Sequence, residues 1–121
     1  NYLGYTREEC AFYFDHLKSP NLHWTFTINH ATLVPEGIDG FIDAFGIERM
    51  REVRVADNLE DKEHHMFPGQ GSIDFRALFL RLEGLGYTGH YTNGFGTLDD
   101  MIRGRDYLVA EAKAAGVLSA Q

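Results

Sequence analysis

The residues with the clearest chemical potential lie in one acidic stretch, DNLEDKEHHMFPGQGSIDF, which runs over residues 57–75. Its adjacent histidines, His64 and His65, would point in opposite directions in an extended loop and would rarely bind one ion together. Glu63 and His65 are two apart and share a side, and carboxylate oxygen and imidazole nitrogen both bind divalent metals. The spacing therefore allows Glu63 and His65 to act together as metal ligands, with a solvated charged loop as an equal alternative, and only the fixed distance to Gly69 favours His65 over His64.

Two further polar residues stand where predicted strands end. His30 follows one strand, and neutral imidazole there can act as a general base or a metal ligand, or it can simply cap the backbone. Asp57 closes another strand and could orient Arg54 or a substrate hydroxyl, or form an ordinary turn. We take His30 and Asp57 as the candidate catalytic residues.

Three residues are candidates for substrate binding. Arg54 would bind a carboxylate or phosphate with two parallel hydrogen bonds if it faced a pocket, although an outward, salt-bridged position fits the sequence as well. His90 and Asn93, next to Tyr91, suit a hydroxyl-rich ligand, although alternating residues of a strand also divide between core and surface.

The segment Gly69-Gln70-Gly71 permits positive φ and exposes backbone amides, which would suit an anion. A tight connection into a helix capped by Ser72 or Asp74 explains the same residues.

The apolar periodicity predicts helices and strands that alternate along the chain. Strands joined through helices pair in parallel, so the chain is predicted to be an α/β protein of βαβ units with all strand ends at one edge, where ligands bind in such folds. Capping boxes are predicted at Thr6–Glu9 and Thr97–Asp100. Helices are expected at 7–18, 37–45, 74–85 and 98–115, and strands at 23–29, 52–56 and 87–93.

Composition sets limits on size and partners. The 121 residues, 44% hydrophobic, are enough for one domain, expected over 1–121. Acidic residues outnumber basic ones by 18 to 11, which argues against nucleic acid and anionic membranes as partners. No apolar run approaches the roughly 20 residues of a membrane-spanning helix. With one cysteine and no visible secretory signal, we expect a cytoplasmic protein.

Three segments resemble the C-terminal part of the xylose-isomerase-like barrels, the superfamily of sugar (phosphate) isomerases and epimerases that includes endonuclease IV. They are TINHATL (27–33), VRVADNLEDKEHHMFPGQGSIDF (53–75) and GYTGHYTNGFG (86–96). The resemblance implies a partial (β/α)8 TIM barrel, about strands six to eight. It also implies a divalent metal (Mn, Mg, Co or Zn) and proton transfer on a sugar, polyol or keto-sugar.

The family's ligand positions carry over incompletely. His30, Asp57 and the pair Glu63 and His65 match, the last as the Asp-x-His of endonuclease IV. The other metal positions fall on Thr27, on Arg54 and near Asn93 or Gly94, which are poor ligands, and an arginine has no lone pair to donate. Metal binding and catalysis therefore stay open.

Several functions remain at this point. Isomerase or epimerase chemistry leads, with a related lyase or dehydratase beside it, and a non-catalytic half-barrel that lost the metal is the runner-up. A repair nuclease is disfavoured by the net charge of −7. Because a complete barrel needs about 250 residues, we expect a segment of a longer polypeptide, a homo-oligomer, or a complex with a complementary barrel segment.

Overall fold

The computed structural model describes residues 4–119 and contains a three-stranded parallel sheet with helices. This confirms the α/β class and the partial barrel. The elements in chain order are α1 (Arg7–Leu17), β1 (Trp24–Thr27), α2 (Ile28–Ala31), α3 (Gly37–Phe45), β2 (Met50–Arg54), α4 (Phe75–Gly84), β3 (His90–Thr92) and α5 (Leu98–Ala114).

The strands are ordered β1-β2-β3, and both pairings are parallel. Thr25 lies opposite Glu52, and Glu52 lies opposite His90. A register shift between Trp24 and Thr25 marks one extra residue in β2. Since all three strands run the same way, the loops after them open on a single edge.

One face of the sheet carries the hydrophobic core. Trp24 and Phe26 of β1 pack on Phe41 of α3, and Tyr91 of β3 meets Phe79 of α4 edge to face. Val53 of the central strand is fully buried in the same core. The opposite face carries polar residues, which divide into the rows Thr25, Glu52, His90 and Thr27, Arg54, Thr92.

Three of the helices, α1, α4 and α5, begin where the sequence supplies side-chain caps. Thr6 and Glu9 form the expected capping box of α1, and Thr97 and Asp100 form that of α5. Asp74 caps α4 by accepting a hydrogen bond from the Ala77 amide at 2.9 Å. Each cap satisfies amides that have no partner within the helix.

Three boundaries differ from the expectation. β1 ends at Thr27, because Ile28 and Asn29 begin the short helix α2 instead of continuing the strand. β2 begins at Met50 and ends at Arg54, so residues 55 and 56 follow the strand. β3 covers only residues 90–92 of the predicted 87–93.

Among residues 4–119, no helix is both long and apolar enough to cross a membrane.

Candidate metal-binding site

Three potential ligands meet at the edge where the strands end. His30 lies in α2, directly after β1, whereas Glu63 and His65 lie in the loop after β2. Glu63 Oε1 is 3.1 Å from His30 Nε2 and 3.5 Å from His65 Nε2. The three ligand atoms all lie within 4.8 Å of one another, which is close enough to bind one ion. We call these residues the triad.

The donor set of the triad fits a divalent cation. Two imidazole nitrogens and one carboxylate oxygen suit Zn, Co or Mn, and three protein ligands leave a position for water or substrate, as in catalytic zinc sites. The side chains of His30, Glu63 and His65 are 38%, 39% and 42% exposed, so a small ligand can reach them. Two members of the triad, His30 and Glu63, line a cavity of about 410 Å³ whose walls also include Trp24 and Phe26 of β1.

A closed loop presents Glu63 and His65. The backbones of Asp57 and Met66 exchange two hydrogen bonds, of 2.8 Å and 3.1 Å, and so join the two ends of the segment between them. That segment therefore leaves the end of β2 and returns to it, with the two ligands on its returning half.

The side chain of Asp57 organises the chain that follows this loop. Its Oδ2 accepts hydrogen bonds from the Gly69 and Gly71 amides, both at 2.9 Å. Its Oδ1 accepts from the amides of Asn58 at 3.0 Å and Ile73 at 3.1 Å. The exposed amides expected at Gly69 and Gly71 thus bind an anion, but the anion is a carboxylate of this chain.

Both glycines are needed for this close approach. Gly69 has φ of +97°, and a Cβ there would lie 2.7 Å from Cδ2 of Tyr107. A Cβ on Gly71 would collide with the Asn58 carbonyl and the Asp57 carboxylate. A side chain at Gly71 would therefore displace the amide that Asp57 holds.

Arg54 and His90 lie on the polar face of the sheet, below the triad. Arg54 Nε is 3.4 Å from Glu52 Oε2, and half of the arginine side chain remains exposed. The Thr92 hydroxyl, followed by Arg54 and the Thr25 hydroxyl, lowers the pKa of the Glu52 carboxyl, although burial opposes the shift. Glu52 is thus a stable anion that holds Arg54 over the sheet.

Asn93 and His64 are not part of this group. The Asn93 amide donates to the Met101 carbonyl at 2.8 Å and packs against Gly104 of α5. His64 Nε2 lies 3.2 Å from Asp61, and its ring is not among the three grouped ligands.

Two contributors were not identified from the sequence. Phe95, in the loop after β3, stacks on His65 with ring centroids 4.7 Å apart and planes 19° apart. Asn29, next to His30, donates a hydrogen bond from its side-chain amide to the carbonyl of His64. Both contacts join separate segments of the chain, so no local spacing signals them; the sequence showed only that Asn29 ends a predicted strand.

Known proteins resemble the chain at the level of family and fold. A sequence model of the family described as "Xylose isomerase-like TIM barrel" matches residues 1–117. A crystal structure of a D-tagatose 3-epimerase-like protein is similar with a TM-score of 0.83 and 25% identity. The match covers 96% of this chain and 45% of that protein, so this chain spans less than half of its length. No curated protein sequence matches significantly.

Proposed function

Because this chain belongs to the xylose isomerase-like TIM-barrel family, we propose that it forms the C-terminal segment of a sugar isomerase or epimerase. The proposed reaction is proton transfer on a sugar, polyol or keto-sugar, assisted by a divalent cation. The expected domain covers residues 1–121.

One observation carries the proposal: His30 comes together with Glu63 and His65 although more than 30 residues separate them. Two neighbouring βα units supply the groups, at the edge of a parallel sheet where ligands of such folds bind. A charged surface loop alone would not bring a histidine of a different unit to within 3.1 Å of its carboxylate.

We assign roles to the triad as follows. Glu63, His65 and His30 would hold the cation, with His30 as a ligand through Nε2, the atom that faces Glu63. When bound, a divalent cation would supply polarisation of a carbonyl or hydroxyl oxygen of the substrate, which would ease removal of the neighbouring proton. Mn, Mg, Co and Zn are the candidates, with the two imidazoles favouring the transition metals.

The remaining predicted site residues have separate roles in this proposal. Arg54 and His90 bind polar groups of the substrate above the sheet, since both lie exposed on the polar face. Asp57 acts by holding the loop in place, because its carboxylate is buried and bonded to backbone amides. For Asn93, substrate binding stays a prediction. It lies directly after β3, and its side-chain amide is bonded to α5.

Cobalt titration of the purified chain tests the metal site. Co²⁺ absorbs visible light according to its ligands, so we expect new absorption bands that saturate at one ion per chain. His65→Ala should abolish the bands, since it removes one of three ligands. His64→Ala is the matched control, because this neighbouring ring lies outside the triad, and it should bind like the parent. Equal behaviour of the two variants would contradict the proposed site.

Catalysis is tested by hydrogen exchange into a ketohexose. With Mn²⁺ present, we expect deuterium from solvent to enter D-tagatose at carbon 3, next to the carbonyl, as followed by NMR. The exchange should be lost in His65→Ala and kept in His64→Ala. A parent chain that binds Mn²⁺ but exchanges no deuterium would contradict catalysis by this chain alone.

A non-catalytic binding half-barrel is the second candidate. It is favoured by Thr27, Arg54 and Asn93, which stand where the resemblance places metal ligands: the first and last are poor ligands for a transition metal, and the arginine has no lone pair to donate. Arg54 is paired with Glu52 instead, and the Asn93 amide is bonded to α5. A chain on which Mn, Co, Zn and Mg change neither the melting temperature nor sugar binding would support this candidate.

A further inference from the structure

Asn29 is a buried residue that links the two halves of the triad. Its side chain is fully buried, and its Nδ2 donates a hydrogen bond of 2.9 Å to the carbonyl of His64. Asn29 precedes His30 in the chain, and His64 lies between Glu63 and His65. A single hydrogen bond therefore joins the immediate neighbours of all three triad residues.

A second set of hydrogen bonds fixes Asn29 itself. Asn58, fully buried at the start of the loop, donates from Nδ2 to the Asn29 carbonyl at 2.8 Å and to Thr32 Oγ1 at 2.9 Å. The Thr32 hydroxyl lies 2.8 Å from the same carbonyl. We call the side chains of Asn29, Thr32 and Asn58 the amide bridge.

Burial by itself does not explain these polar residues. An asparagine without access to water is costly unless all of its polar atoms are bonded. Asn29 Oδ1 is enclosed and has no hydrogen-bond partner among the described residues. If this position only had to fill space, an apolar side chain would be the more stable choice.

The amide bridge connects the two βα units that supply the triad, which supports a role in the metal site. α2 follows β1 in the chain and contacts α3, whereas the loop with Glu63 and His65 belongs to the next βα unit. His30 and Glu63 stay in contact only if α2 and this loop keep the same relative position at the ends of the strands. The amide bridge crosses from one unit to the other beneath that contact.

We propose that Asn29 is a positioning residue that holds His30 against Glu63 and His65. The consequence is that the amide bridge sets the affinity of the triad for a cation, and this consequence rests on the proposed function. Partners behind the ligands commonly change metal affinity by about 10–100-fold when they are mutated.

Cobalt affinity of bridge variants is the direct test. Asn29→Ala should bind Co²⁺ about 10–100-fold more weakly than the parent, with shifted absorption bands, because the imidazole of His30 loses its fixed position. Ile42→Val and Leu82→Ala, which weaken the core on α3 and α4, are controls for general loss of stability. They should keep the parent's affinity and spectrum.

Thr32 offers a matched pair for the same question. Thr32→Val keeps the shape of the side chain but removes the hydroxyl that Asn58 binds, so we expect weaker Co²⁺ binding. Thr32→Ser keeps the hydroxyl and should bind like the parent. A merely structural role of Thr32 would make the two variants differ in stability and leave the cobalt spectrum unchanged.

The outcomes separate this inference from the proposed function. Parent-like affinity and spectrum in Asn29→Ala would overturn the positioning role, whereas loss of binding in His65→Ala would still support the metal site. If the parent bound no Co²⁺, hydrogen exchange would decide: amides 58–66 should exchange faster in Asn29→Ala than in Leu82→Ala. Equal exchange in the two variants would overturn the inference.

Discussion

The carboxylate of Asp57 determines the path of the chain after β2. It is 1% exposed, and its two oxygens accept hydrogen bonds from the amides of four residues: Asn58, Gly69, Gly71 and Ile73. Hydrogen bonds to a charged group are stronger than neutral ones. The sequence left open whether Asp57 orients Arg54 or a substrate hydroxyl or forms an ordinary turn. In the structure its carboxylate holds a turn together, and a catalytic role of Asp57 stays a prediction.

Replacing this carboxylate by an amide should loosen the loop. Asp57→Asn removes the charge and directs an N–H donor toward the backbone donors, so we expect the free energy of unfolding to fall by about 2–4 kcal/mol. Urea unfolding measures the loss. Asp61→Asn, on the exposed part of the same loop, should unfold like the parent. An unchanged urea midpoint in Asp57→Asn would be incompatible with this role.

Phe95 should support His65 through ring stacking. Aromatic pairs contribute about 0.5–1.5 kcal/mol beyond the area they bury, which corresponds to roughly a 2–10-fold change in affinity. We therefore expect Phe95→Leu to bind Co²⁺ more weakly by that factor. Phe12→Leu removes a similar stack on His16 within α1, which holds none of the three ligands, and should leave Co²⁺ binding unchanged. Identical affinities in both variants would rule out a contribution from the Phe95 ring.

The sequence predicted part of this site. The two-residue spacing made Glu63 and His65 a possible ligand pair, and the fixed distance to Gly69 favoured His65 over His64. The structure brings that pair to His30, whereas ligand binding itself stays a prediction. The contacts of Phe95 and Asn29 could not be predicted, because each joins residues about 30 positions apart. Hydrophobic and turn patterns report neighbours within a few residues and carry no information about such pairs.

At the level of elements, capping makes the start of α5 sensitive to acid. The backbone amide and the hydroxyl of Thr97 lower the pKa of the Asp100 carboxyl, which completes the capping box. A carboxyl whose pKa is lower in the folded than in the unfolded state stabilises the fold above its unfolded pKa. That stabilisation is lost as the pH falls below about 4.

The expected result is a melting temperature that falls between about pH 5 and pH 3, with Asp100 as one contributor. Asp100→Asn should melt lower at pH 7 and show a shallower dependence on pH. Asp99→Asn is the control, because it removes one charge nearby and leaves both bonds of the capping box intact. If Asp100→Asn kept the full slope of the parent, the box would not be the acid-sensitive part of α5.

Local signals predicted some elements and missed others. The bounds of α3 and both capping boxes agree with the sequence, because three- and four-residue spacing and cap residues act within one helix. α2 was taken as strand, since Ile28 continues a β-branched and aromatic run. There, burial of Ile28 and the bonds of Asn29 favour a helical turn over local propensity. α1 has no buried residue, although it carries Phe12 and Leu17.

At the level of the whole molecule, the sheet has helices on one face and a polar, open surface on the other. β1 and β3 are both edge strands, whose outer backbone groups can pair with another strand. The structural relative extends well beyond this segment, because the match covers 45% of its length. These features support the proposal that further strands complete the sheet.

We therefore expect the 121-residue chain to associate when it is purified alone. Light scattering should give a mass above the 13.7 kDa of one chain, and the mass should fall with dilution. Thr25→Lys places a charge on the open face beside the free edge of β1 and should reduce association. A monodisperse monomer with a single cooperative melting transition would contradict this expectation.

The hydrogen bonds around Asp57 predict how the backbone responds when a cation binds or leaves. Because the backbone hydrogen bonds between Asp57 and Met66 already close the loop, and the Asp57 carboxylate already holds the segment after it, little conformational entropy remains to be lost when an ion enters the triad. The triad should then bind the cation as a rigid chelator does, without folding of the chain around the metal. A chelator should strip the ion and a fresh ion should replace it repeatedly, with the far-UV circular dichroism of the chain constant throughout the cycle.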